Sequence, residues 1–167
     1  MHHNLKNTNP SIKEISSKNL VGKCLTMSFS SNTTFKLWGS FMPIRHHVLN
    51  AVTTDLYSVQ IYPDGFFTDF NPNAEFVKWA AIEVSDLSAI PEDMGSFTLP
   101  GGLYAVFEFK GNPQNGAGAF SYILQEWLPQ SGYVLDNRPH FEVLGAKYKN
   151  GDPESEEEIW IPIKNKV

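Results

Sequence analysis

The sequence repeats itself at a spacing of a little over eighty residues, which predicts two related halves rather than one irregular unit. Phe41-Met42-Pro43 recurs as Trp127-Leu128-Pro129 at an offset of 86. Val59-Gln60-Ile61 recurs as Phe141-Glu142-Val143 at 82, and Trp79 with its apolar followers as Trp160-Ile161 at 81. Each match alone is weak. Three in the same order predict a tandem duplication.

The local patterns give each half the same elements. Leu20 to Phe29 places Leu25, Met27 and Phe29 at alternate positions and predicts a strand. The polar cluster Ser30 to Thr34 suits a turn and helix start, and Leu37, Trp38, Phe41, Met42, Arg45 and Leu49 then predict a helix from Thr34 to about Asn50, kinked at Pro43. Tyr57 to Tyr62 and Phe76 to Val84 read as strands, and Ile90 to Gly95 as a linker. The second half opens with a strand, Leu103 to Lys110, after the Pro100-Gly101-Gly102 turn. Phe120, Ile123, Leu124, Trp127 and Leu128 follow at helical spacing, stopped by Pro129 and Gly132. Arg138 to Gly145 and Ile159 to Lys164 complete it as strands. The predicted class is α+β: duplicated βαββ units related by a pseudo-twofold, an antiparallel sheet with helices on one face, and a groove between the halves. Residues 1–19 are polar and read as a flexible leader, with a short helical turn around Ile12–Ile15. Residues 20–167 then form a single domain, with half-repeats at about 20–92 and 93–167.

Composition narrows the function. A chain of 167 residues can bury a sizeable core without a staple. Cys24 is the only cysteine, so no internal disulfide is available and a thiolate zinc site is disfavoured. The net charge is −5 and no run of basic residues reaches four, which argues against direct nucleic-acid binding. No apolar stretch is long enough to span a membrane or to act as a secretory signal. The expected setting is cytoplasmic, with a reduced thiol. No phosphate loop, dinucleotide fingerprint or nucleophile elbow is present, and no cofactor or metal is expected. His2-His3 is too short for a metal site. His46-His47 reads as a surface pair and Glu154 to Glu158 as a solvated acidic loop between strands. Twelve Phe, six Tyr and four Trp exceed what a minimal core needs.

Glu142 stands out because it sits in the alternating segment His140 to Leu144, where a carboxylate must face water, a partner or a pocket. Its repeat counterpart is Gln60. Residues two apart share a strand face, so Leu144 accompanies Glu142 and Tyr62 accompanies Gln60. Trp38 and Trp127 lie on helices. Trp79 and Trp160 hold matched strand positions, as symmetric core or as symmetric pocket walls.

The second half resembles a known family through Tyr104-Ala105-Val106-Phe107, Trp127-Leu128-Pro129-Gln130-Ser131-Gly132-Tyr133, Arg138-Pro139-His140-Phe141-Glu142 and Glu158-Ile159-Trp160-Ile161-Pro162-Ile163. Phe76 to Val84 and Ile90 to Met94 carry the likeness into the first half. The family is the GyrI-like domain, the effector-binding domain of AraC-type transcription regulators, and the resemblance covers about residues 20–164. It implies a ligand groove between the repeats in which the acid of the Phe-Glu motif, here Glu142, engages cationic or polar aromatic compounds. The family often has an aromatic two positions later; here it is Leu144. With only 19 residues before the first strand, the expectation is a stand-alone form without a DNA-binding domain.

The sequence therefore predicts a binding module in preference to an enzyme. It would capture lipophilic cationic or polar aromatic compounds in a groove lined by Glu142, Leu144, Gln60, Tyr62, Trp79, Tyr104, Trp127 and Trp160. The alternatives implied by the resemblance are a hydrolase of cyclopropane-type alkylating compounds, with Glu142 as general acid or base, and a gyrase-inhibitor-like module with gyrase or a transcription regulator as protein partner.

Overall fold

The computed structural model describes residues 4–167, so the His2-His3 pair lies outside the described residues. In chain order the first half contains β1 (Ser11–Ile15), β2 (Lys18–Ser28), α1 (Thr34–Phe41), β3 (Leu56–Ile61) and β4 (Glu75–Val84). The second contains β5 (Gly95–Leu99), β6 (Gly102–Lys110), α2 (Gly116–Tyr122), α3 (Leu128–Gln130), β7 (Tyr133–Leu135), β8 (His140–Leu144) and β9 (Glu156–Asn165). The strands form one antiparallel sheet in the order β1-β6-β9-β8-β3-β4-β2-β5, with β7 pairing the end of β9.

The duplication is visible in the ladder register. Trp79 lies between Cys24 and Val59 in the first half, and Trp160 between Val106 and Phe141 in the second. The halves meet at the β3–β8 pair, where Val59 faces Phe141. The central pairing therefore brings together the strands that carry Gln60 and Glu142.

Two expectations change at the edges. Residues 11–15 form a strand instead of a leader with a helical turn, pairing with β6 from Ser11 opposite Val106 to Ile15 opposite Gly102. β5 pairs with β2 in the same register, from Lys18 opposite Leu99 to Gly22 opposite Gly95. The strand that precedes each half thus pairs with the other half, and one continuous ladder joins the two ends of the sheet. Gly101 fits here because a Cβ would come within 2.5 Å of the Ile15 carbonyl oxygen. The third change is the acidic run: Glu156–Glu158 begin β9, so they are not all in a loop.

The helices also depart from regularity for identifiable reasons. Pro43 has no N–H to continue the ladder, and α1 gives way to a 3₁₀ turn over Met42–His47. In the second half Pro129 cannot bond back to the Gln125 carbonyl. The helix upstream widens into a π turn over Ile123–Trp127 before α3 resumes.

The two sheet faces have separate cores. On one, α1 buries Leu37 and Phe41 against Met27, Phe76, Ala80 and Ile82, while the second helical stretch buries Ala119 and Ile123 against Phe107, Ile159 and Ile161. On the other, Leu20, Tyr57, Val59, Trp79, Tyr104, Phe141 and Trp160 form a buried cluster with none of the described helices packed on it. The curl of the sheet encloses that cluster itself. Among the described residues no helix is long and apolar enough to cross a membrane.

Candidate functional site

Directly opposed residues of antiparallel neighbours share a face, so the register lists what lies beside Glu142. One row runs Lys23, Ala80, Ser58, Glu142, Ile159, Phe107 from β2 to β6. The next runs Leu25, Lys78, Gln60, His140. Both lie on the helix-bearing face, between the α1 core and the α2 core. The small side chains of Ser58 and Ala80 keep the middle of the first row low.

Glu142 is half-buried, and burial is the largest influence on its carboxyl. Gln60 is buried; its Nε2 donates to Ser58 Oγ at 3.2 Å and lies 3.5 Å from Glu142 Oε1. No lysine, arginine or histidine lies within ion-pair distance of Glu142 among the described residues. Burial holds the Glu142 carboxyl above its ordinary value; the Lys78 charge and the Gln60 bond pull it down without cancelling that effect.

Three further ionisable groups share this space. Lys78 donates to Thr34 Oγ1 at 3.0 Å, and burial lowers its affinity for a proton against the pull of Glu142 and Glu157. The Glu157 carboxyl is pushed up to about 8, first by burial and then by the charge of Glu142. The Tyr148 hydroxyl is pushed up to about 12 by burial, Glu157 and Glu142.

Aromatic rings wall one end. Tyr62 packs at 4.8 Å on Phe67 and at 5.0 Å on His140, and Phe67 reaches across to Phe120 of α2 at 5.6 Å. A loop of the first half is thereby tied to the helix of the second. His140 is buried with its Nδ1 unpartnered, and burial depresses the ring to about 3, so it is neutral.

Of the residues predicted for the groove, the structure brings together Glu142, Gln60 and Tyr62, with Leu144 on the same face opposite Leu56. It does not bring the others there. Trp160 pairs with Phe141 and Trp79 with Val59, and both therefore share the enclosed face with Tyr104. Tyr104 is wholly buried and donates to the Pro139 carbonyl at 3.0 Å. Trp127 packs on Phe107 at 5.2 Å and lines a separate cavity of about 370 Å³ with Tyr122 and Glu126. A second cavity of about 230 Å³ lies at Trp79 and Cys24, also away from Glu142.

Lys78, Glu157, Tyr148 and His140 escaped the sequence reading. Glu157 had a signal: it alternates with Ile159, Ile161 and Ile163, so it shares their face. Lys78 likewise alternates with Phe76, Ala80 and Ile82. Both lie on strands whose odd-or-even set is otherwise apolar.

This geometry meets its family in the comparison of sequences. The model of the GyrI-like small molecule binding domain matches residues 8–164. The chain belongs to that family. Among curated proteins the GyrI-like chain is 27% identical over 164 residues to the transcriptional regulator BrlR of Pseudomonas aeruginosa, covering 97% of itself and 58% of BrlR. The chain thus spans a little over half the length of that relative. Among solved structures it is similar to the EcmrR C-terminal domain, with TM-score 0.69, 21% identity and coverage of 93% and 97% of the two chains. It is also similar to SAV2435 bound to tetraphenylphosphonium, with TM-score 0.64, 17% identity and 93% of each chain covered. These likenesses agree on the fold of the GyrI-like domain.

Proposed function

We propose that this GyrI-like domain captures lipophilic compounds with a cationic or polar aromatic character over Glu142. The observation that supports this most is a half-buried carboxylate on the helix-bearing face with no cation within ion-pair distance among the described residues and the Tyr62–Phe67 rings on the same side of the sheet. Such a group is costly to keep charged alone, and a ligand cation would offset that cost. Rings at Tyr62 and Phe67 would add cation–π contact of about 0.5–2 kcal/mol. The neighbour SAV2435 is described as bound to tetraphenylphosphonium, a lipophilic cation, which makes that ion the first probe. Isothermal titration with tetraphenylphosphonium is expected to show binding that Glu142→Gln weakens about tenfold, or ~1.4 kcal/mol. Equal affinity in the variant would remove Glu142 from the function.

A second reading, hydrolysis of an already strained electrophile, draws on Glu157. Glu142 and Glu157 share this space and burial raises both carboxyls, and two coupled acids of this kind can divide the roles of proton donor and acceptor. Turnover of a cyclopropane-bearing alkylator, followed by mass spectrometry, would have to be lost in Glu142→Gln and in Glu157→Gln. Absence of turnover in the wild type leaves capture as the function.

A further inference from the structure

The floor of the site carries a cation of its own. Lys78 projects from β4 onto the same face as Glu142, opposite Gln60 on the intervening strand β3. The two charges are not in contact. Glu142 and Lys78 lie beyond ion-pair distance, Gln60 leans from between them toward Glu142, and the Lys78 ammonium is turned to Thr34 at the start of α1. Thr34 in turn donates to Met27 Sδ at 3.6 Å, so the hydroxyl that receives Lys78 is itself tied down.

A lysine meant only to neutralise Glu142 would close on it. Here the ammonium is held apart, with a single hydroxyl partner among the described residues for its three donors. A simple organic cation seated on Glu142 would meet that ammonium in a poorly solvated space, where like charges repel strongly. A ligand with an acid beside its basic centre would satisfy both ends.

Resting on the capture reading above, we propose that the site selects amphoteric aromatic ligands, their cationic centre against Glu142 and their anionic group against Lys78. The other ionisable groups in this space do not supply the missing anion. Glu157 is kept protonated near neutral pH by burial and by Glu142, His140 is neutral, and Tyr62 and Tyr148 are held as phenols.

The test compares two dyes of one skeleton: rhodamine B, which has a free carboxylate, and its ethyl ester, which does not. Fluorescence anisotropy titrations of the wild-type protein are expected to show the acid bound about tenfold more tightly than the ester. Lys78→Met should abolish or invert that ratio, Lys78→Arg should keep it, and Glu142→Gln should weaken both dyes. An ester bound as well as the acid by the wild type overturns the amphoteric assignment without need of any variant. If Glu142→Gln still weakens both dyes in that case, capture itself stands. If neither dye binds, or both bind Glu142→Gln as tightly as the wild type, the capture reading falls with it.

Discussion

Phe141 and Glu142 are adjacent in sequence and belong to opposite worlds. The four central strands expose alternate residues to two faces, and the two faces have been given different tasks. On the enclosed face Phe141 stacks on Trp160 at 5.1 Å with a 17° tilt and meets Tyr104 at 5.1 Å and Tyr57 at 5.8 Å. Its peripheral polar groups are paired, as with Tyr57 donating to Glu83 at 3.3 Å and Trp160 Nε1 to Glu158 at 3.1 Å. On the helix-bearing face the same strands present Glu142, Lys78, Glu157 and a neutral His140 with few direct partners. Both faces bury cores, but only the helix-bearing one interrupts its apolar packing with poorly partnered ionisable groups, which is where a sequence departs from its own structural logic when function requires it.

The sharpest way to break that contrast is to change the two neighbours separately. Phe141→Ala should cost about 3–5 kcal/mol of stability, read from urea unfolding, because it opens a cavity at the centre of the aromatic stack. Glu142→Gln should leave stability at neutral pH unchanged or raised, since the amide fits the same space without a desolvated charge. Ligand affinity should respond the other way, with the large loss in Glu142→Gln. A Glu142→Gln protein as destabilised as Phe141→Ala would mean that Glu142 is structural and the two faces are not divided.

The pH dependence sharpens the comparison because the shifted groups Glu142, Glu157 and His140 all lie on the helix-bearing face. The folded-state value of Glu157 is raised to about 8, so the folded protein holds a proton that the unfolded chain has lost above about 4.5. Stability contributed by that proton is present at low pH and declines as pH rises from about 4.5 to about 8. Glu142 acts in the same direction. His140 opposes them below its ordinary value of 6.5: it stays neutral in the fold down to about 3, so stability falls as pH drops through that window. The two windows overlap from about pH 4.5 to about 6.5, where the opposing slopes offset each other, so urea midpoints should be highest there and fall on either side, and Glu157→Gln should flatten the decline toward pH 8. An unaltered alkaline limb in that variant would place Glu157 in solvent.

Much of the frame was legible because it depends on period and repetition. The offsets of 82 and 81 pair Val59 with Phe141 and Trp79 with Trp160, and the ladders place those pairs in equivalent positions. Glu142 was legible because a carboxylate interrupts an apolar alternation. What was not legible required register between strands distant in sequence. Whether Trp160 faces Glu142 or Phe141 turns on a single-residue choice in the β8–β9 ladder, and nothing in either segment alone decides it. β1 was missed for a related reason: Ser11–Ile15 is largely exposed and pairs with a strand ninety residues away, so its own pattern is weak. Lys78 and Glu157 had the right alternation but the wrong residue type for a buried face.

The smallest expected effect concerns the two tryptophans that the repeat singles out. Trp79 lies against Phe97 at 4.8 Å and Trp160 on Phe141, both on the enclosed face. Trp79→Phe and Trp160→Phe each keep a ring in place and remove part of its area, so each should cost roughly 1–2 kcal/mol of stability. Neither side chain lies on the face of Glu142, because the sheet itself stands between them. Affinity for tetraphenylphosphonium should consequently stay within about twofold of the wild type in both variants. A loss as large as that in Glu142→Gln, with stability unaffected, would put the matched tryptophans back in the ligand wall. It would also mean that the binding space passes through the enclosed face.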